Sequence, residues 1–106
     1  MSEMSLRKGY LKQLVGVICI DFSIDVSQFF SKYARGRSAR ARHVFVLAAY
    51  DNGFLPAEIE GVIGMHNSFV SQVLRRNYDL RKTTEYFHAY GVVKGWLEPE
   101  KEVVNG

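Results

Sequence analysis

The sequence predicts an all-α fold, a bundle of about five to six helices that includes a helix-turn-helix. Apolar residues recur at intervals of three and four along most of the chain, which indicates helices with one buried face. The stretch from Val44 to Tyr50 is apolar on every side, as in a central helix that other helices cover. Two short apolar-faced segments meet at Gly64, which predicts two helices joined by a tight turn.

Length and composition are those of one ordinary globular domain. The 106 residues are 47% hydrophobic and 24% charged, enough for a single modest core. We expect one helical domain over residues 1–97 and a charged tail over residues 98–106. Cys19 is the only cysteine, so no intramolecular disulfide can form, and its apolar neighbours suggest a buried side chain.

The first third of the chain predicts two helices. Apolar residues from Leu6 to Asp21 follow helical spacing, although the β-branched run from Val15 to Ile20 leaves a strand open. Asp25 is a suitable N-cap for a short helix from Val26 to Tyr33.

Two further helices flank the predicted helix-turn-helix in sequence. The first runs from Ala39 to about Asn52, with Ser38 as its N-cap, and Gly53 supplies a C-terminal signal. The second runs from Thr84, its expected cap, to Leu97. Its expected packing residues are mostly aromatic: Tyr86, Phe87, Tyr90, Val93 and Trp96.

The helix-turn-helix itself is predicted over residues 55–79. Its first helix starts at Leu55, with Pro56 acceptable in the first turn. Gly64 can take the positive φ that the turn requires. The second helix is expected from about Ser68 to Asp79, with its apolar side facing inward.

A local excess of positive charge follows the second predicted helix. The net charge is only +3, yet residues 32–43 contain five cations and no acid. Such a patch indicates contact with a polyanion, with a solvated charged face as the alternative. For DNA we expect backbone or minor-groove contacts from this group: Lys32, Arg35, Arg37, Arg40 and Arg42.

The outward face of the second helix carries side chains able to read bases. Asn67 and Gln72 can bind adenine, and Ser68 can bond to any base. The candidates for base contact are His66, Asn67, Ser68, Phe69 and Gln72, and those for phosphate are Arg75 and Arg76. Asn67 or Ser68 could instead merely cap the helix. For Phe69, packing against Val73 and the preceding helix is favoured over contact with a thymine methyl group.

Residues 22–80 resemble a known DNA-binding family. The stretch from Phe22 to Lys32 is similar to a pattern F-x-I/V-x-V-x-D-L-L-S-K, and a basic loop and the A-R-x-R pattern of Ala39 to Arg42 follow it without a gap. Leu55 to Ile59 and Ile63 to Val70 continue the order. The whole resembles the C-terminal DNA-binding domain of the bacterial replication initiator DnaA, of the Trp-repressor-like helix-turn-helix class.

This resemblance implies double-stranded DNA binding and a regulatory role in transcription or replication, in a bacterial, phage or mobile-element setting. The family's base-reading residues fall on residues 66–69, where the side chains differ, so a different DNA sequence is expected. The family's minor-groove arginine falls on Ala34, and Arg35 or Arg37 could replace it. No G-x-x-x-x-G-K-[ST] motif is present, so the family's nucleotide-binding module is not expected.

Other function classes have little support in the sequence. The three histidines lie 22 or more residues apart, and no metal-ligand spacing or catalytic motif occurs. We therefore expect no enzyme activity, cofactor or metal. No membrane contact is expected, and the location would be the cytoplasm, at the nucleoid. The alternative function is a protein-interaction or adaptor module. In either case the C-terminal aromatic helix could bind a partner protein or form a homodimer.

Overall fold

The computed structural model describes residues 3–32, 34–64, 67–76 and 78–98, and these residues form helices and turns with no strand. The predicted all-α class is thus confirmed. Six α-helices and one 3₁₀ helix occur within this part of the chain. They are α1 (Glu3–Phe22), α2 (Val26–Phe29), α3 (Arg37–Asp51), α4 (Pro56–Ile63), α5 (Asn67–Arg76), the 3₁₀ helix (Tyr78–Lys82) and α6 (Thr84–Leu97).

Helix α3 lies at the centre of the bundle. It packs against α1, α2, α4, α5, α6 and the 3₁₀ helix. Every side chain from Val44 to Ala49 is buried, because neighbouring helices cover each side of these two turns. The prediction of a central helix is confirmed, and the core of the protein surrounds α3.

Helices α1 and α6 run antiparallel beside α3. Tyr10 stacks on Trp96 with ring centroids 5.8 Å apart. At the opposite end, Nδ1 of His88 lies 2.6 Å from Oδ2 of Asp21. The residues from Leu6 to Asp21 are helical throughout, so the strand alternative was wrong. Burial of Leu11, Leu14, Val15, Ile18 and Cys19 along one side of α1 explains why helical periodicity prevailed over β-branching.

Two polar clusters attach α4 and the 3₁₀ helix to the three central helices α1, α3 and α6. Arg7 donates to both carboxylate oxygens of Glu58, at 2.7 and 2.9 Å, and thereby joins α1 to α4. Arg81 donates to both carboxylate oxygens of Asp51, at 2.7 and 2.9 Å, and the Tyr86 hydroxyl donates to the same carboxylate at 2.6 Å. This second cluster joins the 3₁₀ helix and α6 to the end of α3.

The second predicted helix is shorter than expected. Asp25 is its N-cap, as predicted, but α2 ends at Phe29 rather than at Tyr33, which lies outside the described residues. In a longer helix, the Phe29 carbonyl would accept a hydrogen bond from the backbone N–H group four residues later. That carbonyl instead accepts hydrogen bonds from the Arg42 side chain, at 2.6 and 3.1 Å. The Ser31 N–H donates to the Gln28 carbonyl, three residues earlier, which ends the four-residue pattern of an α-helix.

Two predicted caps were wrong by one or two residues. Helix α3 begins after Gly36, with φ of 54°, so Ser38 lies inside the first turn and is not the cap. A left-handed φ is accessible to glycine at little steric cost. Helix α6 is capped by Thr83, whose Oγ1 accepts from the Tyr86 N–H at 3.2 Å, and Thr84 is its first residue.

The second helix of the helix-turn-helix also ends early. Helix α5 stops at Arg76, and a separate 3₁₀ helix covers Tyr78–Lys82, where one helix to Asp79 was expected. Leu80 is buried within this turn, which packs against both α3 and α6. Burial of Leu80 thus turns the chain toward α6. The predicted charged tail lies outside the described residues from Pro99 onward.

Candidate nucleic-acid interface

The corner between α4 and α5 has the features of a helix-turn-helix. Gly64 ends α4 with φ of 75°, as predicted, and its N–H donates to the Glu60 carbonyl at 2.7 Å. Of the expected inward side chains, Ile63, Val70 and Val73 are buried, while Met65 lies outside the described residues. Helix α5 packs on α4 and on α3, so its other face is directed to solvent.

The outward face of α5 is polar and basic. The exposed side chains on this helix are Ser68, Ser71, Gln72, Arg75 and Arg76. Gln72 lies one helical turn after Ser68 and one turn before Arg75 and Arg76, so these groups share a side of the helix. Hydroxyl, amide and guanidinium groups in this arrangement can bond to base edges and phosphates. His66 and the Asn67 side chain fall outside what the structure describes.

Phe69 packs toward the interior, as the sequence favoured. Its half-buried ring adjoins the hydrophobic core. The ring centroid lies 6.0 Å from that of His43 and 6.0 Å from the Arg42 guanidinium carbon. Both neighbours are on α3, which the sequence could not show. We therefore assign Phe69 to packing between α5 and α3 and no longer to base contact.

Residues 32–40, which we call the basic segment, carry exposed cations. The side chains of Lys32, Arg35, Arg37 and Arg40 are all exposed. Arg37 also donates weakly to the Phe22 carbonyl, at 3.4 Å. Arg37 and Arg40 line a shallow depression of about 540 Å³ that Asp21 and Glu85 also border. The two acids reduce the positive potential at that edge of the basic segment.

Arg42 departs from its predicted role. Its side chain is only 5% exposed, and it donates to the Phe29 carbonyl and, at 2.7 Å, to the Ser31 carbonyl. Burial lowers the pKa of this guanidinium. A phosphate could not reach it without breaking these bonds, so the predicted phosphate contact is withdrawn. The sequence carried no signal for this burial, because the acceptors are backbone carbonyls.

The start of α3 and the start of α5 lie side by side. His43 contacts Phe69, as described above, and it is half-buried. Burial lowers the pKa of His43, and the positive charges of Arg42 and Arg40 lower it further. Exposed Arg40 lies three residues before His43 and therefore on the same face of α3. The fold thus brings the end of the basic segment next to the first turn of α5, 25 or more residues later in the chain.

The other titratable side chains that the structure describes lie apart from this surface. His43 is half-buried beside the Phe69 ring, whereas His88 is exposed and lies beside Asp21. Cys19 is buried, and burial raises the pKa of its thiol, with a smaller effect from Asp25. No group of three potential metal-ligating residues (His, Cys, Asp or Glu) occurs among the described residues. Within the same ranges, no helix combines the length and apolar character needed to cross a bilayer.

Comparison with known proteins adds no identification. No family model, curated protein or solved structure matches this chain significantly. The similarity to the initiator's DNA-binding domain therefore rests on the residues quoted above.

Proposed function

We propose that this chain binds double-stranded DNA. Helix α5 would enter the major groove, and the basic segment would contact the backbone or the minor groove. The observation that carries the proposal is the contact between His43 and Phe69, because it unites two regions that each have a DNA-binding character. Their separation in sequence means that only the fold can present them to one duplex.

The polar face of α5 supplies the expected sequence readout. Gln72 can bond adenine through two atoms, and Ser68 can donate to or accept from any base. His66 and Asn67 would add contacts at the start of the helix, as the resemblance implies. Arg75 and Arg76, in the last turn, would bind phosphate or guanine.

The exposed cations supply the expected affinity. Six of them lie on α5 and the basic segment: Lys32, Arg35, Arg37, Arg40, Arg75 and Arg76. If all six bound phosphates, the logarithm of the binding constant would fall against the logarithm of salt concentration with a slope of about −5. The biological role we propose is control of transcription or replication in a bacterial, phage or mobile-element context.

Fluorescence anisotropy with a random duplex over a range of salt concentrations tests the proposal. The change Arg40→Ala should weaken binding to every sequence and make the slope shallower by about 1, because one phosphate contact is lost. Lys12→Ala is the matched control, since Lys12 is an exposed cation on α1. No binding of wild-type protein at low salt would contradict the proposal.

Selection from a random DNA pool then tests whether α5 reads sequence. A recovered consensus would support base contacts by the Ser68 and Gln72 face. Equal recovery of all sequences would contradict base readout while leaving backbone binding intact.

A protein-interaction module is the second candidate, and one observation favours it. Phe87 on α6 is 62% exposed, although it belongs to the aromatic set expected to pack. Aromatic side chains, Phe included, are enriched at protein–protein interfaces, so this ring could contact a partner protein or a second copy. A stable dimer or hetero-complex, together with no DNA binding at low salt, would favour this candidate.

A further inference from the structure

We propose that Arg42 is a positioning residue that holds the basic segment and α5 in one fixed relative orientation. The inference rests on the proposed DNA binding and assigns this arginine a role without contact to DNA. It explains why a charged side chain occupies the interior of a small helical bundle, where burial of a charge is costly unless every donor is paired.

On one side, Arg42 holds the entry to the basic segment. The carbonyls at the end of a helix lack partners within it, and α2 has only four residues. Nε and Nη2 of Arg42 donate to the Phe29 carbonyl, and Nη2 also donates to the Ser31 carbonyl. The Phe29 ring packs edge-on against Phe45, with centroids 5.6 Å apart. The guanidinium therefore ties the chain just before Lys32 to the core.

On its other side, the same guanidinium contacts α5. Its central carbon lies 6.0 Å from the centroid of the Phe69 ring, at the outer limit of a cation–π contact. Phe69 directly follows Ser68, whose side chain is exposed on the proposed reading face. One side chain thus contacts both the segment proposed to grip the backbone and the helix proposed to read bases.

The geometry of the guanidinium is what this role requires. Its planar fork presents several donors in fixed directions, whereas a lysine ammonium on a flexible stem cannot reproduce them. The change Arg42→Lys therefore retains the charge and removes the fork. Arg40, two residues earlier and exposed, provides the contrasting case of a direct phosphate contact.

The test measures DNA affinity and its salt dependence for Arg42→Lys. We expect affinity to fall about tenfold, because a loosened segment must be ordered on binding. The salt slope should stay at the wild-type value, since no charge is lost. Wild-type affinity in Arg42→Lys would overturn the positioning role. A salt slope shallower by about 1, in this variant or in Arg42→Gln, would also overturn it, because it would indicate a direct phosphate contact.

A destabilised control separates positioning from a merely structural effect. Tyr86 lies on α6, which is not part of the proposed interface. The change Tyr86→Phe removes the hydrogen bond from the Tyr86 hydroxyl to Asp51, and it should leave DNA affinity unchanged. If Tyr86→Phe weakened binding as much as Arg42→Lys does, the positioning role would be overturned. Should Arg42→Lys fail to fold, Phe69→Leu replaces it and should lower affinity at constant slope. Wild-type affinity of Phe69→Leu would likewise overturn the role.

Amide hydrogen exchange without DNA keeps this inference distinct from the proposed function. Arg42→Lys should speed exchange in residues 29–40 and in the first turn of α5, with other helices unchanged. Failure of the wild-type protein to bind DNA would overturn the proposed function alone. Unchanged exchange in these two regions would overturn the positioning role, whatever the DNA result.

Discussion

Ser23 ends α1 in a backbone conformation that glycine usually occupies. Its φ is 55°, and the surrounding bonds are those of a Schellman motif: the Ile24 N–H donates to the Cys19 carbonyl and the Ser23 N–H to the Ile20 carbonyl. A left-handed φ costs an L-residue with a Cβ about 1 kcal/mol or more. This residue therefore stores a small strain at the end of the longest helix.

We expect Ser23→Gly to raise the free energy of unfolding by about 0.5 kcal/mol, because relief of strain exceeds the extra entropy of glycine in the unfolded chain. Urea unfolding measures the change. Ser27→Gly is the matched control, since Ser27 lies within helical α2, and it should be destabilising by about 0.5 kcal/mol. A stability loss at Ser23 equal to that at Ser27 would contradict the strain argument.

Single residues of the candidate site differed in how far the sequence could predict them. Exposure of Ser68, Gln72 and Arg40 followed from the apolar periodicity of their own helices. The burial of Arg42 did not follow from the periodicity of α3, because a charged residue is expected on the surface unless it is paired. Its partners are carbonyls 11 and 13 residues away, and backbone acceptors leave no trace in side-chain composition.

At the scale of elements, helix limits depended on capping contacts. Thr83 Oγ1 donates to the Leu80 carbonyl at 2.6 Å and accepts from the Tyr86 N–H. It thus joins the end of the 3₁₀ helix to the start of α6. The sequence analysis expected Thr84 as the cap, whereas Thr83, at the end of the 3₁₀ turn, takes that position.

We expect Thr83→Ala to lower the free energy of unfolding by about 1 kcal/mol, because the first turn of α6 loses its side-chain acceptor. Thr84→Ala should change stability by less than about 0.5 kcal/mol, since Thr84 is an exposed first-turn residue. Thermal or urea unfolding of the two variants makes the comparison. Equal effects at both positions would show that the cap is not specific to Thr83.

For the whole molecule, burial couples stability to pH through groups on several helices. Burial and two nearby arginines lower the pKa of His43. Burial disfavours the Asp51 carboxylate, but hydrogen bonds from Arg81 and Tyr86 outweigh it and lower the Asp51 pKa. Hydrogen bonds from Arg7, the largest effect, lower the pKa of Glu58. Protonation of any of these three groups therefore favours the unfolded chain.

We expect the free energy of unfolding to be nearly level between the ordinary histidine pKa of about 6.5 and the ordinary thiol pKa of about 8.5, and to fall as pH drops below about 6.5. In that range unfolded His43 binds a proton that the folded state resists. A second loss follows below about pH 4, as Asp51 and Glu58 are protonated. His43→Phe should abolish the first loss, measured by urea unfolding at pH 7.5 and 5.5. An undiminished loss in the variant would contradict this assignment.

The sequence by itself determined the all-α class, the central position of α3 and the turn at Gly64. Each depends on local properties: apolar spacing within a helix, a run without polar residues, and a glycine that accepts positive φ. The helical state of the stretch from Leu6 to Ile20 also follows from apolar spacing, because the alternative strand lacks a partner strand.

Only the tertiary structure decided the burial of Arg42, the early end of α2 and the contact between His43 and Phe69. These depend on groups far apart in sequence, so the periodicity of one helix cannot report them. Periodicity says which face of a helix is covered, but not which neighbour covers it. For this protein, that neighbour determines which of the basic side chains are exposed and which are buried against the core.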